Sequence, residues 1–152
     1  DIENYQKEDK KFRFEILPYY NQEEWDLLLQ QCSMLFIRGE ESLSRACLSG
    51  IPFIWHAYPQ SDEYQLVKVN ALLDRMKKYF TEENFNTVKK LWIKVNSPYD
   101  NKKEEECALL FEFMSKTKEL VKGFNDFAVD LRKNGDLCAN LMTYIKKICI
   151  MN

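Results

Sequence analysis

The residues with the clearest chemical potential form one short run, Arg-Gly-Glu-Glu-Ser at positions 38–42, directly after an apolar segment. Arginine presents a planar fork of donors that suits phosphate oxygens, and glycine lets the backbone approach a ligand closely. A helix that begins at Ser42 would add free amides and a dipole that attract an anion. Glu40 or Glu41 can accept two hydrogen bonds from a vicinal diol such as a ribose. The run therefore has the groups needed to bind phosphate and ribose.

Two further loops carry polar and aromatic side chains after apolar segments. Tyr19 in the first loop offers an aromatic face for a base, and Gln22 can pair with a base edge. The third loop contains Tyr58 and Gln60, which are candidate lining residues only. Together with the Arg-Gly-Glu-Glu-Ser run, these groups fit a nucleoside diphosphate.

The residues alone leave a second interpretation open. Arg38 and Glu41 could form a structural ion pair, with Tyr19 simply packed against the protein. The chain has neither a G-x-G-x-x-G run nor a P-loop lysine signature, so nothing supports a dinucleotide or nucleoside triphosphate fold. With His56 as the only histidine, no histidine-rich metal site is expected.

Three apolar segments are predicted to be the strands that position these loops. Residues 12–17 alternate between apolar and polar side chains, as a half-buried strand does. Residues 34–37 and 51–55 are short apolar runs, typical of parallel strands covered on both faces. Because ligands bind at the carboxyl ends of such strands, the three loops should converge there.

Local signals predict the helices that connect these strands. Asn21 and Glu24 have the spacing of a capping box at the start of a helix. Residues 42–49 are predicted to form a second helix, and Gly50 is placed to end it in the left-handed conformation.

Downstream of the third loop the chain is predicted to be helical. Breaks are expected at Ser97-Pro98, at Gly123 and at Gly135. In the third of these helices, Cys107, Leu110, Phe111 and Met114 are predicted to form one core-facing stripe. The predicted helices are 64–80, 81–96, 104–121 and 124–150.

Composition limits the class of protein. The 152 residues can bury a real core, and 45% of them are hydrophobic. A net charge of -2 provides no basic field for nucleic acid, and no apolar run is long enough to span a membrane. The five cysteines form no C-x-x-C pair, so we expect reduced, buried thiols in a cytoplasmic protein.

Four segments between Leu17 and Arg75 resemble a known family. They read PYYNQEEWDLLLQQC, FIRGEES, GIPFIWHAYPQ and KVNALLDR, and they are similar to the C-terminal donor-binding domain of the elongation factor P arginine rhamnosyltransferases (EarP). The resemblance implies an α/β fold, a Rossmann-like half of a GT-B glycosyltransferase with a short parallel sheet and a mostly helical C-terminal part. It also implies an inverting bacterial enzyme that transfers rhamnose from dTDP-rhamnose to an arginine of elongation factor P, without a metal or other cofactor.

The resemblance also implies roles for individual residues. Tyr19 matches the aromatic residue, usually phenylalanine, that stacks on thymine, and Gln22 matches a glutamine that contacts the nucleotide. Arg38 matches the diphosphate-binding arginine, and Ser42 matches a serine that contacts phosphate. Glu40 matches the glutamate implicated in sugar-nucleotide binding and activity, and it is the one catalytic candidate in this chain.

The match has two departures among these positions. Glu41 stands where the family usually has aspartate, one methylene shorter, and Asn21 replaces a usual proline. Tyr58 and Gln60 lie in the matching third loop, W-x-x-Y-P-Q, and remain possible lining for the donor.

We expect residues 1–11 to be a polar lead-in and residues 12–152 to be the nucleotide-sugar-binding domain. The general base implied by the family is an aspartate in an N-terminal domain, and nothing before Phe12 supplies that domain. The chain should therefore bind the donor without turning it over. Two alternatives stay open, a GT-B half for another nucleotide sugar and a non-catalytic helical interaction module.

Overall fold

The computed structural model describes residues 15–98 and 102–150. The lead-in at 1–11 and most of the strand predicted at 12–17 lie outside these ranges. Residues 15–17 are described, and they belong to no strand.

The described sheet consists of two parallel strands, β1 (Leu35–Ile37) and β2 (Phe53–Trp55), whose register places Ile37 opposite Trp55. Helix α1 (Gln22–Leu29) precedes β1, and helix α2 (Glu40–Ser49) connects the two strands. The prediction of parallel strands joined by a helix is confirmed for this part of the chain.

Local capping signals fix the ends of the first two helices. The Glu24 amide donates to Asn21 Oδ1 at 3.0 Å and the Asn21 amide donates to Glu24 Oε2 at 3.2 Å, which confirms the capping box. Gly50 ends α2 with φ of 77°, as predicted. The predicted start at Ser42 is wrong, because α2 begins two residues earlier, with Gly39 as its N-cap.

The C-terminal part is helical, and none of its described helices is long and apolar enough to cross a membrane. The breaks predicted after Asn96 and at Gly135 are confirmed, with φ of 73° at the glycine. The break predicted at Gly123 is wrong, because the chain turns at Lys116 instead. The helices are α3 (Tyr64–Met76), α4 (Glu82–Asn96), α5 (Lys103–Ser115), α6 (Thr117–Arg132) and α7 (Leu137–Ile150).

Gly123 lies inside α6 for a packing reason. A Cβ atom at this position would lie 2.4 Å from carbon atoms of the Phe80 ring, closer than any real contact. The glycine therefore lets α6 approach the segment between α3 and α4 instead of ending a helix.

Aromatic side chains form the centre of the core. The Phe53 ring lies 5.1 Å from the Trp92 ring and 5.2 Å from the Phe124 ring, measured between centroids. Phe113 of α5 packs on Phe124 at 6.4 Å. The core thus joins β2 to α4, α5 and α6.

The core-facing stripe predicted for α5 is wrong. Phe113 is fully buried, whereas Phe111 and Met114 are 66% and 46% exposed and Cys107 is exposed as well. Only Leu110 of the predicted stripe is half-buried. The last helix adds little to this core, since the side chains of residues 137–149 are exposed.

All five cysteines are free thiols, but the prediction that they are buried is wrong for most of them. Cys47 is buried, and this burial raises the pKa of its thiol to about 12. Cys32 is half-buried, while Cys107, Cys138 and Cys149 are exposed.

One edge of β2 pairs with β1. The carbonyl of Pro52 accepts a hydrogen bond from the Leu35 amide, and the amide of His56 donates one to the Ile37 carbonyl, both at 2.9 Å. Because successive residues of a strand direct their backbone groups to opposite sides, the groups of Phe53, Trp55 and Ala57 lie on the other edge.

Side chains of α4 bond this other edge in place of a third strand. The Trp92 indole donates to the Phe53 carbonyl at 3.0 Å, and the Asn96 amide group donates to the Trp55 carbonyl at 2.7 Å. Asn96 Oδ1 accepts from the Ala57 amide at 2.8 Å. The carbonyls of Phe53 and Trp55 and the amide of Ala57 are thus hydrogen-bonded, although no strand of the described residues lies beside this edge.

Candidate functional site

The loops after β1 and β2 leave the sheet side by side, because Ile37 and Trp55 are paired at its carboxyl end. The N-terminus of α2 lies in the first of these loops, and the start of α1 is brought next to α2 by side-chain contacts. All three predicted loops therefore contribute to one end of the molecule.

The first cleft lies between the start of α1 and the first turns of α2, with a volume of about 440 Å³. It brings together Tyr19, Gln22, Glu41 and Ser42, all of them predicted from the sequence. The Tyr19 side chain is fully exposed, so its ring face is open to a ligand. The remaining lining residues are Pro18, Tyr20, Asn21, Trp25 and Arg45.

Arg45 organises the acidic groups at this cleft. Its Nη2 atom lies 3.3 Å from Glu41 Oε1, and its other terminal nitrogen bonds Asp26 of α1. Gln22 also donates weakly to Glu41 Oε1, at 3.5 Å. The hydrogen bond that Arg45 donates to Asp26 raises the pKa of Arg45, and the pairing ties α1 to α2.

The N-terminus of α2 supplies backbone donors to this region. The first helical hydrogen bond runs from the Leu43 amide to the Gly39 carbonyl at 2.9 Å, so the amides before it have no acceptor within the helix. Glu40 and Glu41 add negative charge to this turn. Lys68 lies 3.4 Å from Glu40 and Arg45 pairs with Glu41, which reduces their repulsion of an anion.

Arg38 is held by aromatic residues of the third loop and of β2. Its guanidinium lies 4.9 Å from the centroid of the Tyr58 ring, and its carbonyl accepts a hydrogen bond from the Trp55 indole at 3.0 Å. The interpretation in which Arg38 pairs with Glu41 while Tyr19 packs against the protein is wrong, since Glu41 pairs with Arg45 and Tyr19 is fully exposed.

A second cleft, of about 550 Å³, lies between the third loop and the end of α4. Gln60 lines it together with His56, Asn96 and Glu106. Burial lowers the pKa of His56, and the positive charge of Arg38 lowers it further.

The predicted residues are thus divided among neighbouring sites. Four of them share the first cleft and Gln60 lines the second, while Arg38 stacks on Tyr58 between the two loops. Glu40 pairs with Lys68 of α3. In the described ranges, no group of three or more His, Cys, Asp or Glu side chains could hold a metal ion.

Sequence reasoning missed three residues at this end of the molecule. Arg45 had a signal, because it follows Glu41 by four residues on a helix. Gln65 and Asn96 had none, because a buried amide side chain has no characteristic neighbours in the sequence. They are only 6% and 4% exposed, and both bond the third loop.

Comparison with known proteins connects this arrangement to one family. Residues 2–146 match the model of the family described as Elongation-Factor P (EF-P) rhamnosyltransferase EarP. A protein-arginine rhamnosyltransferase of Shewanella oneidensis is 28% identical over 133 residues, which cover 87% of this chain and 33% of the relative. One from Pseudomonas aeruginosa is 40% identical over 62 residues, 41% of this chain and 16% of the relative. The chain therefore spans a third or less of the length of these relatives.

A solved structure has a similar fold. It comes from work on the structural basis for EarP-mediated arginine glycosylation of translation elongation factor EF-P. The TM-score is 0.70 at 21% sequence identity, and the match covers 86% of this chain and 39% of that chain. At this identity the likeness is one of fold, and it extends to the short parallel sheet with its mostly helical C-terminal part.

Proposed function

The chain belongs to the family of elongation factor P rhamnosyltransferases (EarP), and from this membership we propose that it forms the dTDP-rhamnose-binding domain of a protein-arginine rhamnosyltransferase. We propose further that it is the Rossmann-like C-terminal half of a GT-B enzyme that acts in the cytoplasm. The observation that carries the proposal is the first cleft, where an open tyrosine ring, an amide side chain and a helix N-terminus meet.

The nucleoside would occupy the first cleft. Thymine stacks on the exposed face of Tyr19, a contact that is worth about 1–3 kcal/mol for a base on an aromatic side chain. Gln22 pairs with the base edge, and Glu41, already held by Arg45, accepts hydrogen bonds from sugar hydroxyls. Each role suits a side chain that the structure leaves accessible at the cleft.

The diphosphate would lie against Arg38 and the N-terminus of α2. The Arg38 guanidinium lies over the Tyr58 ring, a contact that uses none of its N–H donors on a carboxylate and would leave them for phosphate oxygens. Ser42 and the first-turn amides of α2 add neutral donors, and Glu40 lies beside them.

These groups would act mainly when the bond between rhamnose and dTDP breaks. The arginine of elongation factor P attacks the anomeric carbon, the carbon–oxygen bond to the diphosphate breaks with inversion, and negative charge develops on dTDP. Arg38 and the helix amides stabilise that charge, so no metal or cofactor is needed in this proposal. The proton of the acceptor arginine goes to a base that family resemblance places in the N-terminal domain.

A nucleotide panel tests the proposal. Calorimetric titration of the chain with dTDP, UDP and GDP should show selective binding of dTDP. Preference for UDP or GDP would indicate a domain for another nucleotide sugar. Binding of none of them would contradict the proposal and favour a non-catalytic interaction module.

A pair of variants locates the binding site. Tyr19→Ala should weaken dTDP binding about tenfold or more through loss of stacking, whereas Tyr19→Phe should bind as the wild type does. The free energy of unfolding should not change in either variant, because the Tyr19 side chain is fully exposed. Unchanged dTDP affinity in Tyr19→Ala would place the base elsewhere.

A further inference from the structure

The buried side chain of Asn96 makes three hydrogen bonds to backbone groups beside the proposed site. It is 4% exposed, and its amide group donates to the carbonyls of Trp55 and Trp92, both at 2.7 Å. Its Oδ1 atom accepts from the Ala57 amide at 2.8 Å. Asn96 therefore fixes the end of β2 and the first part of the third loop to α4.

The residues that Asn96 holds are those that hold Arg38. The Trp55 carbonyl bonds Asn96, while the Trp55 indole donates to the Arg38 carbonyl at 3.0 Å. Ala57 directly precedes Tyr58, whose ring carries the Arg38 guanidinium at 4.9 Å. Asn96 therefore bonds Trp55, which contacts the backbone of Arg38, and Ala57, the neighbour of the Tyr58 that contacts the side chain of Arg38.

Gln65 fixes the other end of the third loop. Its Nε2 atom donates to the Asn96 carbonyl at 3.1 Å, and its Oε1 atom accepts from the Gln60 amide at 3.0 Å. Gln65 is 6% exposed. Tyr58 lies between Ala57 and Gln60, so both of the anchored amides flank it.

We propose that Asn96 and Gln65 are positioning residues for the diphosphate of the sugar nucleotide, acting on Arg38 through Trp55 and Tyr58. The inference rests on the proposed function and goes beyond it, since the hydrogen bonds of Asn96 and Gln65 fix β2 and the third loop and do not go to Arg38 itself. Loops are less well fixed than helices and strands, and this pair of amides ties a loop to two helices. A charge-assisted contact depends on such placement, because it weakens steeply with distance and angle.

The competing explanation is that these amides serve only stability. Removal of the Asn96 side chain would then leave the Trp55 carbonyl and the Ala57 amide without this partner and lower the free energy of unfolding, with no special effect on the diphosphate. The two explanations differ in what happens to dTDP compared with thymidine, which lacks the phosphates that Arg38 would bind.

The experiment compares three variants of the chain by NMR. Asn96→Ala and Gln65→Met remove the proposed positioning contacts, and the exchange rates of the Ala57 and Gln60 amides report on the loop. Thr87→Val is the matched control, because Thr87 is also buried on α4 and hydrogen-bonded, but it bonds Glu112 at 2.8 Å, the Glu83 carbonyl and Lys116. Each protein is titrated with dTDP and with thymidine.

We expect Asn96→Ala to lose about tenfold in dTDP affinity, as when a charge-assisted hydrogen bond is weakened, and to keep its thymidine affinity within about twofold. Gln65→Met should show the same selectivity with a smaller loss, and Thr87→Val should bind both ligands as the wild type does. The amides of Ala57 and Gln60 should exchange faster only in the first two variants. In the background of Arg38→Ala, the Asn96 substitution should cause little further loss.

Normal dTDP affinity in Asn96→Ala or Gln65→Met, together with faster amide exchange, would overturn the inference and leave the proposed function intact. Equal losses for dTDP and thymidine would also overturn it. Failure of the wild-type chain to bind dTDP would instead overturn the proposed function, and the inference with it. If Asn96→Ala does not fold, Gln65→Met alone decides by the same criteria.

Discussion

The aromatic residues Tyr58 and Trp55 hold Arg38 in place, and such contacts leave its positive charge available to a ligand. A carboxylate partner would neutralise the guanidinium, whereas the Tyr58 ring stabilises it through its face. The nearby acids are paired with other cations, Glu41 with Arg45 and Glu40 with Lys68. The arrangement keeps one arginine at this end of the molecule available to an anion.

Arg38→Lys should therefore be almost as damaging as Arg38→Ala. Lysine keeps the charge but cannot stack as a plane or offer two parallel donors, so we expect both variants to lose about tenfold or more in dTDP affinity. Arg132→Ala is the control, because it removes the same charge from α6, which lines neither cleft. Retention of wild-type affinity by Arg38→Lys would show that charge alone suffices.

His56 offers a direct titration at the same site. It is the only histidine, so a single imidazole signal should titrate in a proton NMR spectrum, with a midpoint below the ordinary value of about 6.5. Burial is the larger cause and Arg38 adds to it, so Arg38→Ala should raise the midpoint without restoring the ordinary value. A midpoint that Arg38→Ala leaves unchanged would separate the two residues electrostatically.

The lowered pKa of His56 also has a consequence for stability. Between the folded-state pKa and about 6.5, the unfolded chain binds more protons at this histidine than the folded chain does. The contribution of His56 to the free energy of unfolding should therefore fall as the pH drops through this range. His56→Gln should flatten that part of the pH profile.

At the scale of elements, the sequence predicted what depends on near neighbours. The capping box of Asn21 and Glu24 and the left-handed Gly50 are local signals, and the structure confirms them. The buried face predicted for α5 was wrong because this helix has apolar side chains on more than one face, including the exposed Phe111 and the buried Phe113. Only contacts with α4 and α6 decide which face is buried, and these are absent from a local pattern.

Gly123 gives the sharpest prediction at this scale. In a helix interior, Gly→Ala usually stabilises by about 1 kcal/mol. Here the new methyl group would overlap the Phe80 ring, and overpacking costs about 1–3 kcal/mol, so we expect Gly123→Ala to lower the free energy of unfolding. Urea denaturation measures the difference, with Lys118→Ala as the control for alanine at an exposed position of the same helix. A more stable Gly123→Ala would show that Phe80 can move aside at no cost.

At the scale of the whole molecule, the proposed function separates the residues that bind the donor from the general base that activates the acceptor. In the proposed function this chain supplies groups for the nucleotide, while the base that the family resemblance implies lies in an N-terminal domain. We therefore expect the chain to bind dTDP-rhamnose without modifying elongation factor P.

Intact-mass spectrometry of elongation factor P, incubated with the chain and dTDP-rhamnose, checks this expectation. The full-length relative from Pseudomonas aeruginosa serves as the positive control. Rhamnosylation by the chain at a rate near that of the control would show that the chain holds its own base.

The global arrangement also explains what sequence reasoning could not find. Asn96 is 31 residues from Gln65, with α3 and most of α4 between them, yet their contact places the third loop. A residue whose partners are that distant has no periodic or motif signal. Tyr19, Gln22, Glu41 and Ser42, which line the first cleft, do have a local signal, because Tyr19 lies in a short loop and the other three lie in the first turns of helices.

The side chains along the outer edge of β2 have a protective consequence. An unpaired strand edge is a template on which a foreign strand can add, and such addition begins aggregation. Here an incoming strand would first have to displace an indole and an amide that already occupy the carbonyls of Phe53 and Trp55. The tryptophan and the asparagine of α4 thus protect the outer edge of β2 against the addition of a foreign strand, although the described sheet has only two strands.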